Sequence, residues 1–343
     1  MRATWVLAAF AVHCMQTQAA TAAGPTRFAF ESRHMGTTFR IVVIADRPTA
    51  ERAAATGFQR VAAIEQALSD YKPDSEVMRA CQANDAAPGV PIGVSDDLYA
   101  VLAKSGEMAK VSGGAFDVTV GPLTKLWRVS RKTQVLPAAA ELKAALALVG
   151  PDKLTLDPKT RTMTLAKPGM RLDFGGIGKG YAADEVLKLL KRNFGINAAL
   201  VAAAGDITCG DAPPGETGWD IEIAPLRTGD PRRRLVLANS SVSTSGDLEQ
   251  VAVIGGVRYS HLLNPKTGLG LTGQRSVTVI APTGTTADSA TKAASVLPAA
   301  EALAVIAKIP GAEVLIVTQL DDAKPEALTQ SAGFRHYMRR DGP

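Results

Sequence analysis

Hydrophobic periodicity along this chain alternates between two and about 3.6 residues, and that alternation limits the fold more than any other feature. Thr38 to Ala45 (TFRIVVIA) predicts a strand and Thr49 to Leu68 an amphipathic helix. Ser95 to Val111 predicts a second helix with Ser95 as its N-cap. Lys153 to Ala166 alternates around Asp157-Pro158-Lys159-Thr160, the pattern of a hairpin. A helix over 180–193 is followed by strand-like runs at Ala198–Ala203, Trp219–Ala224, Arg234–Ala238 and Val251–Ile254. A strand at Ser276–Ile280, helices over 285–308 and a strand at Glu313–Thr318 complete the pattern. Hairpins mixed with helices imply an α+β protein rather than a doubly wound parallel sheet. There is no internal repeat, and the Gly/Pro-rich stretch Gly210–Gly218 reads as a surface loop inside one domain.

The first residues point to export. Met1-Arg2 precedes an apolar run from Trp5 to Met15 and the small residues Ala19-Ala20-Thr21-Ala22-Ala23, which together read as a cleaved signal peptide over 1–23. The mature chain, 24–343, is then expected in the periplasm. The apolar run is too short to span a bilayer, and no later stretch reaches the roughly eighteen apolar residues a transmembrane helix needs. His13 stands where a small residue is expected before a lipidated cysteine, which argues against anchoring through Cys14. Cys81 and Cys209 remain as thiols in an oxidising compartment, and two positions alone do not settle whether they pair. With 46% hydrophobic and 21% charged residues the composition is that of a packed globular protein. The net charge of +5 is modest, and Arg232-Arg233-Arg234 has no interleaved aromatics, so a nucleic-acid surface is not implied. A weakly basic face would still help to steer a polyanionic ligand.

Residues 172–184, LDFGGIGKGYAAD, gather four glycines, a lysine and two aspartates at a strand-to-helix junction. Glycine lets main chain approach a phosphate closely, and a helix beginning near Lys179 would offer unpaired N–H groups to it. The order fits neither a Walker loop nor the dinucleotide fingerprint. The plainer reading is a tight turn with a solvated lysine, and the segment alone leaves both open.

Other polar clusters interrupt the apolar pattern: Met35-Gly36-Thr37, SDYKPDS at 69–75, GGAFD at 113–117, Gly205-Asp206, STSGD at 243–247, SHLLNPKTG at 260–268 and ADSAT at 287–291. Each has a local explanation in capping or turn chemistry. Their order is more specific. MGT, SDYKPDSEV, GGAFDVTVGPLTKLW, LDFGGIGKGYAAD, AAGDI, STSGD, SHLLNPKTG and ADSATKA, spread from Met35 to about Val317, resemble the FAD:protein FMN transferase family, the ApbE-like flavin transferases once described as thiamine-biosynthesis lipoproteins.

The resemblance implies a single α+β domain related to the T-fold, and a reaction in which FAD is split at its pyrophosphate. The FMN half is joined by a phosphoester to a Thr or Ser of an exported or membrane redox protein, and AMP leaves. Such chemistry is mostly positioning and charge neutralisation. By match to the family's motifs, Met35, Tyr71, Ala115, Phe116, Asp117, Asp173, Lys179 and Leu262 would contact FAD, with Thr244, Ser245 and Asp247 lining the same pocket. The Gly176 carbonyl, Asp288 and Thr291 would ligate magnesium, and His261 and Asp288 would serve catalysis, His261 taking the proton of the acceptor hydroxyl. The family commonly has a Thr four residues after the metal-binding Asp, where this chain has Lys292. That ammonium either replaces the metal as the charge on the pyrophosphate or turns outward and leaves the metal to Asp288 and Thr291; the hard oxygen ligands and the mobile lysine stem favour the second. A transferase, an FAD pyrophosphatase and a non-catalytic flavin-binding protein are all compatible with these residues.

Overall fold

The computed structural model describes residues 26–226, 232–246, 251–319 and 326–339. The expected signal peptide, Cys14 and Asp247 lie outside the described residues. Eight strands form one sheet in the order in which the chain makes them: Thr26–His34, Thr37–Ala45, Ala199–Ala203, Asp206–Cys209, Ser240–Gly246, Gln274–Ala281, Glu313–Gln319 and Ala327–Gln330. Every neighbouring pair is antiparallel. Six helices are inserted between the second and third strands: α1 (Arg47–Leu68), α2 (Glu76–Ala86), α3 (Asp96–Val111), α4 (Gly121–Thr133), α5 (Ala139–Leu146) and α6 (Gly178–Phe194). Two more, α7 (Gly284–Val296) and α8 (Ala299–Ile306), connect the sixth strand to the seventh. The protein is therefore α+β, with local antiparallel pairing rather than parallel crossovers.

Both faces of the sheet are covered, because side chains alternate across a strand. Phe39, Ile41, Val43, Val201, Val279 and Ile316 face the helices and join Ile64 of α1, Val186 of α6 and Ala290 of α7 in the main core. Val42, Leu200, Val242, Ile280 and Leu315 face the other way, onto Trp219, Ile221, Leu235 and Phe334, carried mainly by a ribbon of Trp219–Ile223 and Arg233–Leu237. Cys81 belongs to the first core and Cys209 to the second, so the two thiols stay apart, buried and free. Among the described residues no helix is long and apolar enough to cross a membrane.

Most expected elements are present with shifts of one or two residues. The first helix begins at Arg47 rather than Thr49, because Asp46 Oδ1 accepts the Thr49 N–H at 2.9 Å and Pro48 fits the first turn. The expected hairpin is found as Leu154–Asp157 with Thr162–Leu165. The central strand Ser240–Gly246 had read only as a polar cluster. It is SSVSTSG, so it lacks apolar alternation, and three of its hydroxyls bond sideways to neighbouring strands: Ser241 Oγ to Thr208 Oγ1 at 3.2 Å, Ser243 Oγ to Asp206 Oδ1 at 2.5 Å and Thr244 Oγ1 with Thr278 Oγ1 at 3.0 Å.

Candidate active site

A cavity of about 1240 Å³ opens where the ends of these elements meet. Its wall is built by turns whose local chemistry explains their sequences. Met35 and Gly36, with φ of 49° and 73°, form the two-residue turn between the first two strands and put Met35 on the cavity. Gly113 and Gly114 end α3 in the left-handed region, Gly114 N–H reaching back to Ala109 O at 2.8 Å, and the chain then presents Ala115, Phe116 and Asp117. Asp117 Oδ1 caps the following turn through Thr119 N and Oγ1 at 2.8 and 2.7 Å. Burial raises its pKa against those bonds. NPKTG is a turn, with Asn264 O accepting Gly268 N–H at 2.8 Å, and it supports the strand Val257–Leu263 that brings His261 and Leu262 to the wall.

Tyr71, Asp173, Gly176, Lys179, Thr244 and Ser245 line the same cavity. The ten described residues expected to contact FAD or line its pocket, together with His261, thus converge on one space. At the mouth Tyr71 is 74% exposed, and the Arg128 guanidinium carbon lies 3.9 Å from its ring centroid. Arg128 also pairs with Asp70 at 2.7 Å and approaches Asp173 at 3.7 Å. Burial and the nearby Asp173 raise the Asp70 pKa despite that arginine.

The floor is a buried ion-pair cluster. Lys179, in the first turn of α6, places Nζ 2.8 Å from Asp206 Oδ2 and 3.8 Å from Asp288 Oδ2. Lys292 Nζ lies 3.0 Å from Asp288 Oδ1. Ser243 Oγ donates to Asp206 Oδ1 at 2.5 Å, and Gly180 N–H donates to Asp288 Oδ2 at 3.2 Å. Burial works against the charges, but Asp206 and Asp288 hold the Lys179 ammonium above its usual pKa. Lys179 and Lys292 likewise hold Asp206 below the usual carboxylate range. Asp206 is the residue whose place here the sequence motifs did not assign, and Lys292 takes the inward of the two positions expected for it rather than the favoured outward one. Asp184, the second aspartate of LDFGGIGKGYAAD, is not part of the floor: it caps α7 through Gly284 N, Thr285 N and Thr285 Oγ1 at 2.6 to 2.8 Å.

The three expected metal residues are not all placed alike. Gly176 reaches the cavity, whereas Asp288 and Thr291 are fully buried beneath it. The Thr291 hydroxyl donates to Ala287 O at 2.6 Å. Asp288 Oδ1 accepts no hydrogen bond among the described residues, which is the mark of an atom that needs a cation, and Lys292 supplies one. The lysine is not turned outward. Among the described residues no group of three or more His, Cys, Asp or Glu side chains could hold a metal ion. As arranged, the donor set does not fit magnesium.

His261 Nδ1 is buried without a hydrogen-bond partner among the described residues. Burial first, then Lys292, Arg131 and Lys179, push its pKa down to about 4. The imidazole is therefore neutral at physiological pH and able to accept a proton.

An α+β chain whose antiparallel sheet and helices enclose a large cavity, with two lysines paired to two aspartates at its floor and a neutral histidine on its wall, has the makings of a group-transfer enzyme. Comparison with known proteins gives this a family. Residues 35–316 match the ApbE family model. The FAD:protein FMN transferase of Haemophilus influenzae is 32% identical over 296 residues, 82% of this chain and 84% of that protein. That of Treponema pallidum is 33% identical over 301 residues, 82% of each. The apo structure of the Pseudomonas stutzeri flavinyl transferase ApbE superposes with a TM-score of 0.79 at 28% identity, over 91% of this chain and 97% of that one. The chain belongs to the ApbE family, and like its named relatives it is a transferase.

Proposed function

We propose that this chain, as a single domain over 24–343 released from its signal peptide in the periplasm, transfers the FMN half of FAD to a Thr or Ser hydroxyl of an exported or membrane redox protein. The observation that carries this reading is the convergence of ten motif residues from distant parts of the chain on one cavity, combined with relatives that bear that activity in their names.

The geometry supports a division of labour. Asp117 and Asp173 offer acceptors to ribose or ring N–H donors, and Phe116, Met35 and the exposed Tyr71 ring offer faces to a planar flavin or adenine. Lys179 meets the pyrophosphate as a point charge. The acceptor hydroxyl oxygen attacks the phosphorus of the FMN half while the bond to the bridging oxygen breaks. AMP carries that oxygen away, and His261 takes the hydroxyl proton. Magnesium, which the resemblance implies, would supply charge neutralisation if bound, but the residues as placed do not fit it and no step here runs through it.

The test is mass spectrometry of candidate exported flavoproteins after incubation with this protein and FAD. A gain of FMN mass on one Thr or Ser, with AMP released in equal amount, is expected. AMP release without labelling would make the protein an FAD pyrophosphatase, and neither product would leave a flavin-binding protein.

A further inference from the structure

The floor of the cavity holds a feature the reaction above does not use. Lys292 follows Asp288 by one helical turn on α7, and its ammonium sits 3.0 Å from Asp288 Oδ1. Its stem runs over Gly176: a Cβ at Gly176 would lie 2.8 Å from Lys292 Cγ and 3.6 Å from Lys292 Cβ. The missing side chain at Gly176 therefore makes the channel in which the lysine lies. Lys292 lines the cavity and is 16% exposed at its side chain, whereas Asp288 is wholly buried behind it. A cation bound from the cavity onto Asp288 would have to displace that ammonium or share the carboxylate with it. Like charges a few ångströms apart repel strongly in a site poorly screened by water, and a divalent ion doubles the repulsion.

We propose that Lys292 stands in the place of a divalent cation at Asp288, so that the cavity receives the pyrophosphate of its ligand on two lysine ammonium groups, Lys179 and Lys292, without metal. The pyrophosphate half of this statement rests on the FAD reading above; the displacement of metal by lysine does not. Both ammonium groups point to the cavity, and their counter-charges differ in depth. Asp206, the partner of Lys179, is itself on the lining, while the partner of Lys292 is screened from the ligand by the lysine. Both lysine side chains are partly exposed, Lys179 at 21% and Lys292 at 16%, so the ligand meets both charges.

Two measurements test it on the intact protein. Calorimetric titration with FAD in EDTA and in excess magnesium is expected to give the same affinity within about threefold for the wild type, because its charge is already in place. Electron paramagnetic resonance of added Mn²⁺ without FAD is expected to show no bound ion in the wild type. Lys292→Thr is expected to take up one Mn²⁺, to bind FAD at least about tenfold more weakly in EDTA, and to recover with magnesium. Lys292→Met keeps the stem over Gly176 and removes only the charge, and should show the same loss in EDTA. Magnesium tightening wild-type FAD binding about tenfold or more, Mn²⁺ binding to the wild type, or unchanged FAD affinity of both variants in EDTA would each overturn the proposal. The wild-type arms need no variant to fold. Should the wild type bind no FAD in either buffer, the flavin reading falls while the Mn²⁺ contrast still decides the lysine.

Discussion

The floor and the mouth of the cavity are built from the same kinds of groups and use them in opposite ways. At the floor, Asp206 and Asp288 are nearly or wholly buried and each faces a lysine. At the mouth, Arg128 bridges Asp70 and Asp173 and lies on the ring of Tyr71; the tyrosine is exposed and the arginine partly so, while the two carboxylates beneath them are mostly covered. A buried charge that loses its partner is stranded, whereas water takes the place of a lost partner at the surface. Stability and anion binding should therefore be concentrated at the floor, and selection of the flavin's planar rings at the mouth.

Asp288→Ala should have the largest effect on the fold. It leaves Lys292, Lys179 and the Gly180 N–H without the carboxylate they share, and urea unfolding should show a loss of about 3–5 kcal/mol. If Asp288→Ala unfolds like the wild type, the floor is not the buried cluster described. The next effect concerns the ligand. Lys179→Ala should weaken FAD binding by roughly 1–3 kcal/mol in calorimetry, the size of a deleted charge-assisted hydrogen bond. Riboflavin, which has no phosphate, should bind both proteins alike; a parallel loss for riboflavin would move Lys179 away from the pyrophosphate.

The histidine gives a pH test. Its pKa falls from 6.5 unfolded to about 4 folded, so between those values the unfolded chain holds the extra proton. Stability should rise with pH across about 4 to 6.5 and be flat above, and His261→Asn should remove that slope. Transfer should show no His261 inflection near neutrality and fail as pH drops towards 4. An NMR titration that finds the ring protonating near 6.5 would undo the desolvated, neutral base. At the mouth, Arg128→Ala should cost about 1 kcal/mol or less in thermal unfolding, with any change showing in the KM for FAD. A loss as large as that of Asp288→Ala would erase the contrast between the two ends.

Much of the architecture was legible because it is local. The alternation in Thr38–Ala45 and the 3.6-residue pattern of Thr49–Leu68 follow from how single elements bury one face, and the caps at Ser95 and the glycines of GGAFD carry their own geometry. Ser240–Gly246 escaped because Ser241, Ser243 and Thr244 find partners on neighbouring strands, information absent from its own seven residues. The motifs likewise supplied the lining residues but not their arrangement.

By itself, the sequence determined the α+β class, the family and the residue types available to a flavin pocket, all of which rest on short-range pattern or motif order. Tertiary structure alone decided that Asp206 of the fourth strand pairs with Lys179 of α6, that Asp184 caps α7 instead of facing a ligand, and that Lys292 lies on Asp288 over Gly176 rather than in solvent. These are choices between burying a charge with a partner and leaving it in water. Only packing fixes which partner is within reach, since the energy of an ion pair depends on distance and burial that no linear spacing encodes.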